Sequence, residues 1–197
     1  LHYVENSAEL KSGDLLLIDA GCEYDYYASD ITRTFPVNGR FSPEQRALYE
    51  LVLKSQAAAI EKVRPGNHWN DPHDAVVKVI TKGLVELGIL KGRVSTLIKN
   101  EAYKPFYMHR AGHWLGMDVH DVGDYKIDGK WRLLEPGMVL TVEPGIYMPA
   151  GAKGVAKKWW NIGIRIEDDL LVTKDGYDIL SKDVPKTVEE IEALMAA

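Results

Sequence analysis

The sequence predicts a mixed α/β fold of the α+β kind. Apolar and alternating strand segments lie towards both ends of the chain, and two segments with helical periodicity and helix-start signals lie between them. At 197 residues the chain is long enough to bury a core, and its hydrophobic fraction of 46% is ordinary for a globular protein. We therefore expect a single domain over residues 1–197.

Two strand segments open the chain. Residues 14–20, DLLLIDA, form an apolar run typical of a buried strand that ends in Asp19, and residues 23–37 are rich in aromatic and β-branched side chains. A turn between these segments would place Asp19 opposite Asp30, with Cβ atoms about 5 Å apart. Each aspartate alone is more simply a turn residue or a solvated residue. Together, the two carboxylates would repel each other unless a cation lay between them.

Two helices should follow. The run SPEQ at 42–45 is a capping box with proline at the first helical position, and it predicts a helix that ends near Lys62. Asp71 is expected to cap a second helix, which Gly88 ends. Residues 89–106 show no clean hydrophobic periodicity, which predicts a loop that can include a short helix. The tail VEEIEALM predicts a short terminal helix.

The stretch YMHRAGHWLGMDVHDVG, residues 107–123, lies at the centre of the functional prediction. It contains three histidines, His109, His113 and His120. Two hairpin-like segments follow at Glu-Pro-Gly tripeptides, and the second tripeptide begins with Glu143. NIGIRIEDDLLVT then alternates as a single strand that places Arg165 and Glu167 on one face.

The charge balance narrows the classes of partner. Lys plus Arg number 24 and Asp plus Glu number 29, and the resulting charge of −5 argues against a nucleic acid or an anionic membrane as the main partner. Apolar runs fall short of the roughly 20 residues that a membrane helix needs, and we expect no signal peptide. Because Cys22 is the single cysteine, no intrachain disulfide can form, which suits a reducing, cytoplasmic location.

A scattered set of residues forms a candidate metal site. Its members are Asp19, Asp30, His113, Glu143 and Glu167. The four carboxylates lie on or at the ends of apolar strands, where a charged side chain is rarely left without a partner. Oxygen ligands with one imidazole suit Mn²⁺, Co²⁺, Fe²⁺ or Zn²⁺. Two such ions about 3.5–4 Å apart would account for four carboxylates, and Arg165 can offset the remaining negative charge.

Competing chemistries fit less well. His109 and His113 have the spacing of a helical zinc motif, but the glutamate after the first histidine is missing and Gly112 disfavours a helix. The sequence contains no G-x-S-x-G elbow, no phosphate-binding G-x-x-x-x-G-K-[ST] and no G-x-G-x-x-G. Cys22 would need a neighbouring histidine to act as a nucleophile and is more simply a packed residue.

The order and context of the five candidate ligands resemble those of the pita-bread metallopeptidases, which comprise methionine aminopeptidases, prolidases and aminopeptidase P. The segments LIDAGCEYDYYASDITRTFPVNGRF, HWLGMDVHDVG, LEPGMVLTVEPGIY and GIRIEDDLLVT are most similar to the bacterial aminopeptidase P branch. The resemblance covers nearly the whole chain. It implies a pita-bread fold, in which a curved, mostly antiparallel sheet carries helices on its outer face.

The resemblance also implies how the ligands are shared. Asp30 and Glu167 would bridge two divalent metals, usually Mn²⁺, with Asp19 on one metal and with His113 and Glu143 on the other. A hydroxide bridging the metals would attack the carbonyl carbon of the N-terminal Xaa-Pro bond, because the metals lower the pKa of that water and polarise the carbonyl.

Further roles follow from the same resemblance. Glu143 would shuttle the proton, while His109 and His120 would hydrogen-bond the substrate carbonyl and the developing oxyanion. Taken alone, these two histidines also fit a purely structural role. Substrate-side residues implied by the family are His2, His109, His120, Tyr147 and Arg165, the last two as supports of the ligand set.

The implied activity is that of a metal-dependent Xaa-Pro aminopeptidase acting on peptides with proline at the second position. A prolidase-type dipeptidase and a non-catalytic pita-bread domain that binds peptides remain as alternatives. An α/β domain with scattered carboxylates would bind no stoichiometric metal. Because the family's catalytic domain begins well before the position of His2, we expect this domain to be incomplete at its N-terminus, with a preceding segment or a second copy of the chain as partner.

Overall fold

The first strands bring the two aspartates together. The structure, a computed structural model, describes residues 3–196, so the predicted substrate residue His2 lies outside the described residues. Strand β1 (Leu15–Ala20), the short hairpin of β2 (Glu23–Tyr24) and β3 (Tyr27–Ala28), and strand β4 (Ile31–Pro36) follow in order. In the antiparallel pairing of β1 with β4, Asp19 lies opposite Thr32. Asp30 immediately precedes β4 and is therefore close to Asp19, although it is not the directly opposite residue.

Strand β1 corrects one expectation. The apolar run was predicted to be buried, but its leucines are half-buried and its last three residues, from Ile18 to Ala20, are exposed. The reason is its position: within residues 3–196, β1 pairs with β4 alone and forms the edge of that sheet.

The two long helices begin where proline signals predicted. Helix α1 covers Pro43–Ile60 and helix α2 covers Asp71–Glu86. The capping box of α1 is confirmed, because the Ser42 side chain accepts from the Gln45 backbone N–H and the Gln45 side chain accepts from that of Ser42. The predicted cap of α2 is wrong, since Asn70 is the N-cap residue. Asp71 is already helical, and its carboxylate accepts a hydrogen bond from the His68 backbone N–H at 2.8 Å.

The second half of the chain is built from short antiparallel strands. In order, the remaining elements are α3 (Val94–Lys99), β5 (Lys126–Ile127), β6 (Lys130–Trp131), β7 (Val139–Val142), β8 (Gly145–Met148), a 3₁₀ turn (Lys157–Trp159), β9 (Ile162–Arg165), β10 (Asp168–Val172), β11 (Tyr177–Ile179) and α4 (Val188–Met195). β9 pairs with β8, whereas β10 lies between β7 and β11. All pairings within the described residues are antiparallel.

The predicted single strand over 161–173 is broken into β9 and β10. The break falls at Ile166 and Glu167, whose backbone N–H groups donate to Pro144 and Thr32 respectively, rather than to a continuous partner strand. The chain therefore changes strand partners at Glu167. This change turns the glutamate away from a regular ladder position.

Helix α1 covers the strands on one side, where it packs against α2, β7, β8 and β9. The core between them is apolar; its fully buried members include Leu48, Val52, Ile80, Leu84, Ile146, Ile164, Ile166 and Leu170. None of the helices within residues 3–196 combines the length and apolar character that crossing a bilayer requires.

A buried polar cluster fastens the C-terminal segment to the strands. Asp168 is fully buried and accepts hydrogen bonds from Arg33 at 2.8 Å, Gln56 at 3.0 Å, Ser181 at 2.7 Å and Lys186 at 2.6 Å. Two cations and two neutral donors satisfy the charge that burial would otherwise penalise. The cluster therefore fixes β4 against β10, the two strands that flank Asp30 and Glu167.

Candidate metal centre

The five predicted ligands converge on one cleft of about 210 Å³. Ligand-capable atoms lie within 4.8 Å of one another in three sets, which are Asp19, Asp30 and Glu167; His113, Glu143 and Glu167; and Asp30, His113 and His120. The first two sets share Glu167, which is the arrangement that two neighbouring cations with a common carboxylate would need. Their assignment as ligands stays a prediction.

Each of the four predicted carboxylate ligands lies where a strand ends or is interrupted. Asp19 is near the end of β1, Asp30 precedes β4, Glu143 follows β7, and Glu167 lies between β9 and β10. At such positions the backbone departs from the regular alternation of faces, so side chains from different strands can point to one place.

The histidine ligand comes from an extended segment that lies against β7. Its backbone hydrogen bonds run from Thr141 N to His113 O at 3.0 Å and from Glu143 N to Ala111 O at 2.8 Å. Gly112 lies so close to this strand that an added Cβ would be 1.9 Å from the Thr141 carbonyl oxygen. Only glycine fits there, and this close approach brings His113 beside Glu143.

The orientation of the His113 ring suits metal binding. Its Nδ1 lies 2.9 Å from the Trp114 carbonyl oxygen, which can only accept, so Nδ1 carries the proton. Nε2 faces the cleft, 3.2 Å from Asp30 Oδ2 and 3.9 Å from Glu143 Oε1, and is the atom that would offer its lone pair to a bound cation in place of a proton. A backbone carbonyl that fixes the tautomer is a common companion of a metal-ligating histidine.

Glu167 gives the clearest sign that a cation belongs in the cleft. Its side chain is buried and its Oε2 accepts from Thr32 Oγ1 at 2.5 Å, but its Oε1 has no hydrogen-bond partner among the described residues. Burial, with the nearby charges of Glu143 and Asp30, raises its pKa well above the usual value. A divalent cation would remove this penalty, so the residues present fit the metal that the donor set implies.

In two other carboxylates of the cleft, burial and the neighbouring charges also act on the pKa in opposite directions. Burial raises the pKa of Glu143 to about 7, even though His113 and Arg165 act in the opposite direction. Burial acts most strongly on Asp30 and would raise its pKa, but hydrogen bonds with His113 and Asp19 and the charges of His113 and His120 together hold that pKa below its usual value. Without a cation, the cluster therefore cannot ionise completely at low cost.

A hydrogen-bonded chain connects Asp19 to His109. Arg165 donates to Asp19 Oδ2 at 2.6 Å and to the Tyr147 hydroxyl at 3.0 Å. The Tyr147 hydroxyl lies 2.9 Å from His109 Nε2, and His109 Nδ1 lies 2.7 Å from the Arg110 carbonyl oxygen. Because that oxygen can only accept, His109 Nδ1 carries the proton and the Tyr147 hydroxyl donates to Nε2. Arg165 thus balances the charge of the cluster through Asp19.

His120 lies on the solvent side of the cleft. It is exposed, and its ring centroid is 4.2 Å from that of His113 in an edge-on contact. It is within reach of a cation held near Asp30. Its predicted substrate role therefore stays a prediction.

Three residues at the site had no predicted role. Thr32 donates to Glu167, and Asp169 Oδ2 accepts from the Asp30 backbone N–H at 3.1 Å. Arg110 lines the cleft. A weak signal existed for Asp169, because Asp168 and Asp169 are two charged residues that open the apolar strand β10.

Comparison with known proteins identifies the family. The model of metallopeptidase family M24 matches residues 1–174. The chain belongs to metallopeptidase family M24. It is 59% identical over 195 residues to the Xaa-Pro aminopeptidase of Haemophilus influenzae, covering 99% of this chain and 45% of that protein. The Escherichia coli Xaa-Pro aminopeptidase is 54% identical over 197 residues, which cover all of this chain and 44% of that protein.

Solved structures of family members confirm the fold. The Pseudomonas aeruginosa aminopeptidase PepP superposes with a TM-score of 0.98 and 67% identity, over 100% of this chain and 44% of that one. A Zn-substituted E. coli aminopeptidase P in complex with product superposes with a TM-score of 0.95 and 54% identity, with the same coverage. The predicted pita-bread fold is thereby confirmed. The chain spans less than half the length of these relatives.

Proposed function

We propose that the chain is the catalytic part of a metal-dependent aminopeptidase that hydrolyses the N-terminal Xaa-Pro bond of peptides. The convergence of four carboxylates and one imidazole on a single cleft carries this proposal. Proline specificity is supported by the relatives named Xaa-Pro aminopeptidase, at 59% and 54% identity.

Two divalent cations would be held by the two ligand sets that share Glu167. When bound, they lower the pKa of a water molecule and polarise the scissile carbonyl. We propose Mn²⁺ as the working metal, with Co²⁺, Fe²⁺ and Zn²⁺ as the ions to compare, because the ligands are oxygen-rich with one imidazole. A Zn-substituted form of the E. coli relative has been solved.

The protein's own groups would manage the proton and the substrate. Glu143, whose pKa burial raises to about 7 in the metal-free chain, can accept a proton from the attacking water and return it to the proline nitrogen. His109 lines the cleft and would contact the substrate carbonyl, and Tyr147, which hydrogen-bonds both His109 and Arg165, would hold it in place. His120, exposed at the cleft, would contact the substrate backbone.

Two properties of the whole protein are also proposed. Self-association is supported by exposed apolar side chains on β1 and the β2–β3 hairpin, namely Ile18, Tyr24 and Tyr27, and analytical ultracentrifugation would test it. A reducing cytoplasmic location is supported by the free, exposed thiol of Cys22, and cell fractionation would test it.

The decisive experiment is turnover of Ala-Pro-Ala by the purified chain. We expect release of alanine, loss of this activity in a chelator and recovery on adding Mn²⁺. Faster cleavage of Ala-Pro than of the tripeptide would point instead to a prolidase. Stoichiometric Mn²⁺ binding without turnover would indicate a binding domain, and an absence of metal binding would overturn the proposal.

A further inference from the structure

A single exposed arginine marks the mouth of the acidic cleft. Arg110 follows His109 in the chain and is one of the residues that line the cleft. The other arginine there, Arg165, is buried and already paired with Asp19. Arg110 is exposed and forms no salt bridge with any carboxylate in residues 3–196. Within residues 3–196, Arg110 is therefore a cation at the cleft that no carboxylate neutralises.

Arg110 is nevertheless held in place. Its NH2 group donates to Asn70 Oδ1, and Asn70 Nδ2 in turn donates to Asp74 Oδ1 at 2.8 Å, which fixes the amide. The guanidinium carbon lies 4.7 Å from the centroid of the Trp131 ring, a cation–π distance. These contacts restrict the side chain before any ligand binds, so less conformational entropy is lost on binding.

Part of the guanidinium remains available. Within the described part of the chain, the Arg110 side chain donates to Asn70 alone, which leaves most of its five N–H groups for a ligand. The planar fork of arginine matches a carboxylate. A second cation, Lys126, has its Nζ 4.2 Å from the centroid of the same Trp131 ring. Two cations therefore lie over Trp131, and one of them, Arg110, lines a cleft whose interior is acidic.

A short peptide carries the complementary polarity. Its ammonium group belongs to the residue that is removed, near the carboxylates, and its carboxylate lies at the opposite end. We propose that Arg110 binds the free C-terminal carboxylate of short peptides, so that the site favours short peptide acids over peptide amides. This inference rests on the proposed function and specifies its substrate class.

Equilibrium binding tests the inference separately from catalysis. Pro-Leu and Pro-Leu amide lack the residue that would be cleaved off, so both can be titrated calorimetrically into the Mn²⁺-loaded chain. We expect the wild-type chain to bind the acid about tenfold more tightly than the amide, as for a charge-assisted hydrogen bond that is partly exposed to water. R110Q should abolish this preference by weakening the acid alone. R110K should retain part of it, because lysine keeps the charge but not the fork.

A matched control is R64Q, since Arg64 is exposed, pairs with Glu61 and does not line the cleft. It should leave both affinities unchanged. Equal weakening of acid and amide by R110Q, or an unchanged preference for the acid, would overturn the inference. So would a wild-type chain that binds neither peptide. If the chain binds as expected but does not cleave Ala-Pro-Leu, the proposed function fails while the role of Arg110 stands. If it cleaves, R110Q should raise KM for the tripeptide acid and leave kcat unchanged.

Discussion

Replacing Glu167 by glutamine should change stability in opposite directions with and without metal. In the metal-free chain, Glu167 Oε1 is a buried acceptor with no partner in residues 3–196, and burial raises the pKa of the side chain. Glutamine has nearly the same shape, can keep the contact with Thr32 and carries no charge. Ionising this buried carboxylate beside Glu143 and Asp30 at pH 8, or holding its proton there, costs free energy that a neutral amide avoids. We therefore expect metal-free E167Q to be about 2 kcal/mol more stable than the wild type at pH 8.

The same substitution should remove the response to metal. A ligand at a hundred times its Kd stabilises a folded protein by about 2.7 kcal/mol per site, so two sites give about 5 kcal/mol. For a chain of this size, 1 kcal/mol corresponds to about 2–4 °C in Tm. Wild-type protein should therefore gain about 10–20 °C in saturating Mn²⁺. E167Q lacks the carboxylate common to both ligand sets and should gain far less.

Differential scanning fluorimetry in a chelator and in a Mn²⁺ series measures both effects. E135Q serves as the matched control, because Glu135 is exposed and does not line the cleft, and it should behave as wild type. A full Mn²⁺ response in E167Q would show that the cations bind elsewhere. A metal-free E167Q chain that is less stable than wild type at pH 8 would show that Glu167 is already satisfied without a cation.

Three further outcomes are expected. In urea titrations the metal-free chain should lose at most about 3 kcal/mol of unfolding free energy as pH rises from 4.5 to 7. Burial raises the folded-state pKa of Glu143 from 4.5 to about 7, so its contribution to stability is complete below the unfolded value and is lost as pH rises to the folded one. A flat profile would contradict this. In urea titrations Asp168→Ala should lower the unfolding free energy by about 3–5 kcal/mol, because it leaves Arg33 and Lys186 without their buried carboxylate. Asp175→Ala, at an exposed position, should lower it little. Thr32→Val should weaken Mn²⁺ binding about 10–100-fold by calorimetry, because it removes the donor to the shared glutamate, and Thr34→Val on the same strand should alter stability without that loss.

Local signals in the sequence were sufficient for the elements that depend on neighbouring residues. The capping box at Ser42 could be predicted because the capping side chain and its backbone partner lie three residues apart, and the run VEEIEALM was sufficient to predict the terminal helix. The cap of α2 could not be predicted in this way. Asp71 and Asn70 are both good cap residues, and Asn70 takes the cap position without a side-chain cap bond, its amide being held instead by Arg110 and Asp74.

The strand break at Glu167 and the exposure of β1 depend on residues that are distant in the chain. The alternating pattern around Glu167 predicts one continuous strand, because periodicity reports which face is apolar and not which strand lies alongside. The break arises because the backbone of Glu167 bonds to Thr32, which is far away in sequence. The prediction that β1 is buried was wrong for a similar reason, since an edge position depends on which strands lie alongside it.

The sequence by itself determined which side chains could form a metal centre, because acidic residues at the ends of apolar strands are costly without a partner and His113 is the imidazole that accompanies them. Tertiary structure alone decided how these groups are oriented: His113 by the Trp114 carbonyl, Glu167 by Thr32, and Arg110 by Asn70 and Trp131. The physical reason is that composition and spacing report the cost of burying a charge, whereas hydrogen-bond direction depends on atoms brought together only when distant strands pair.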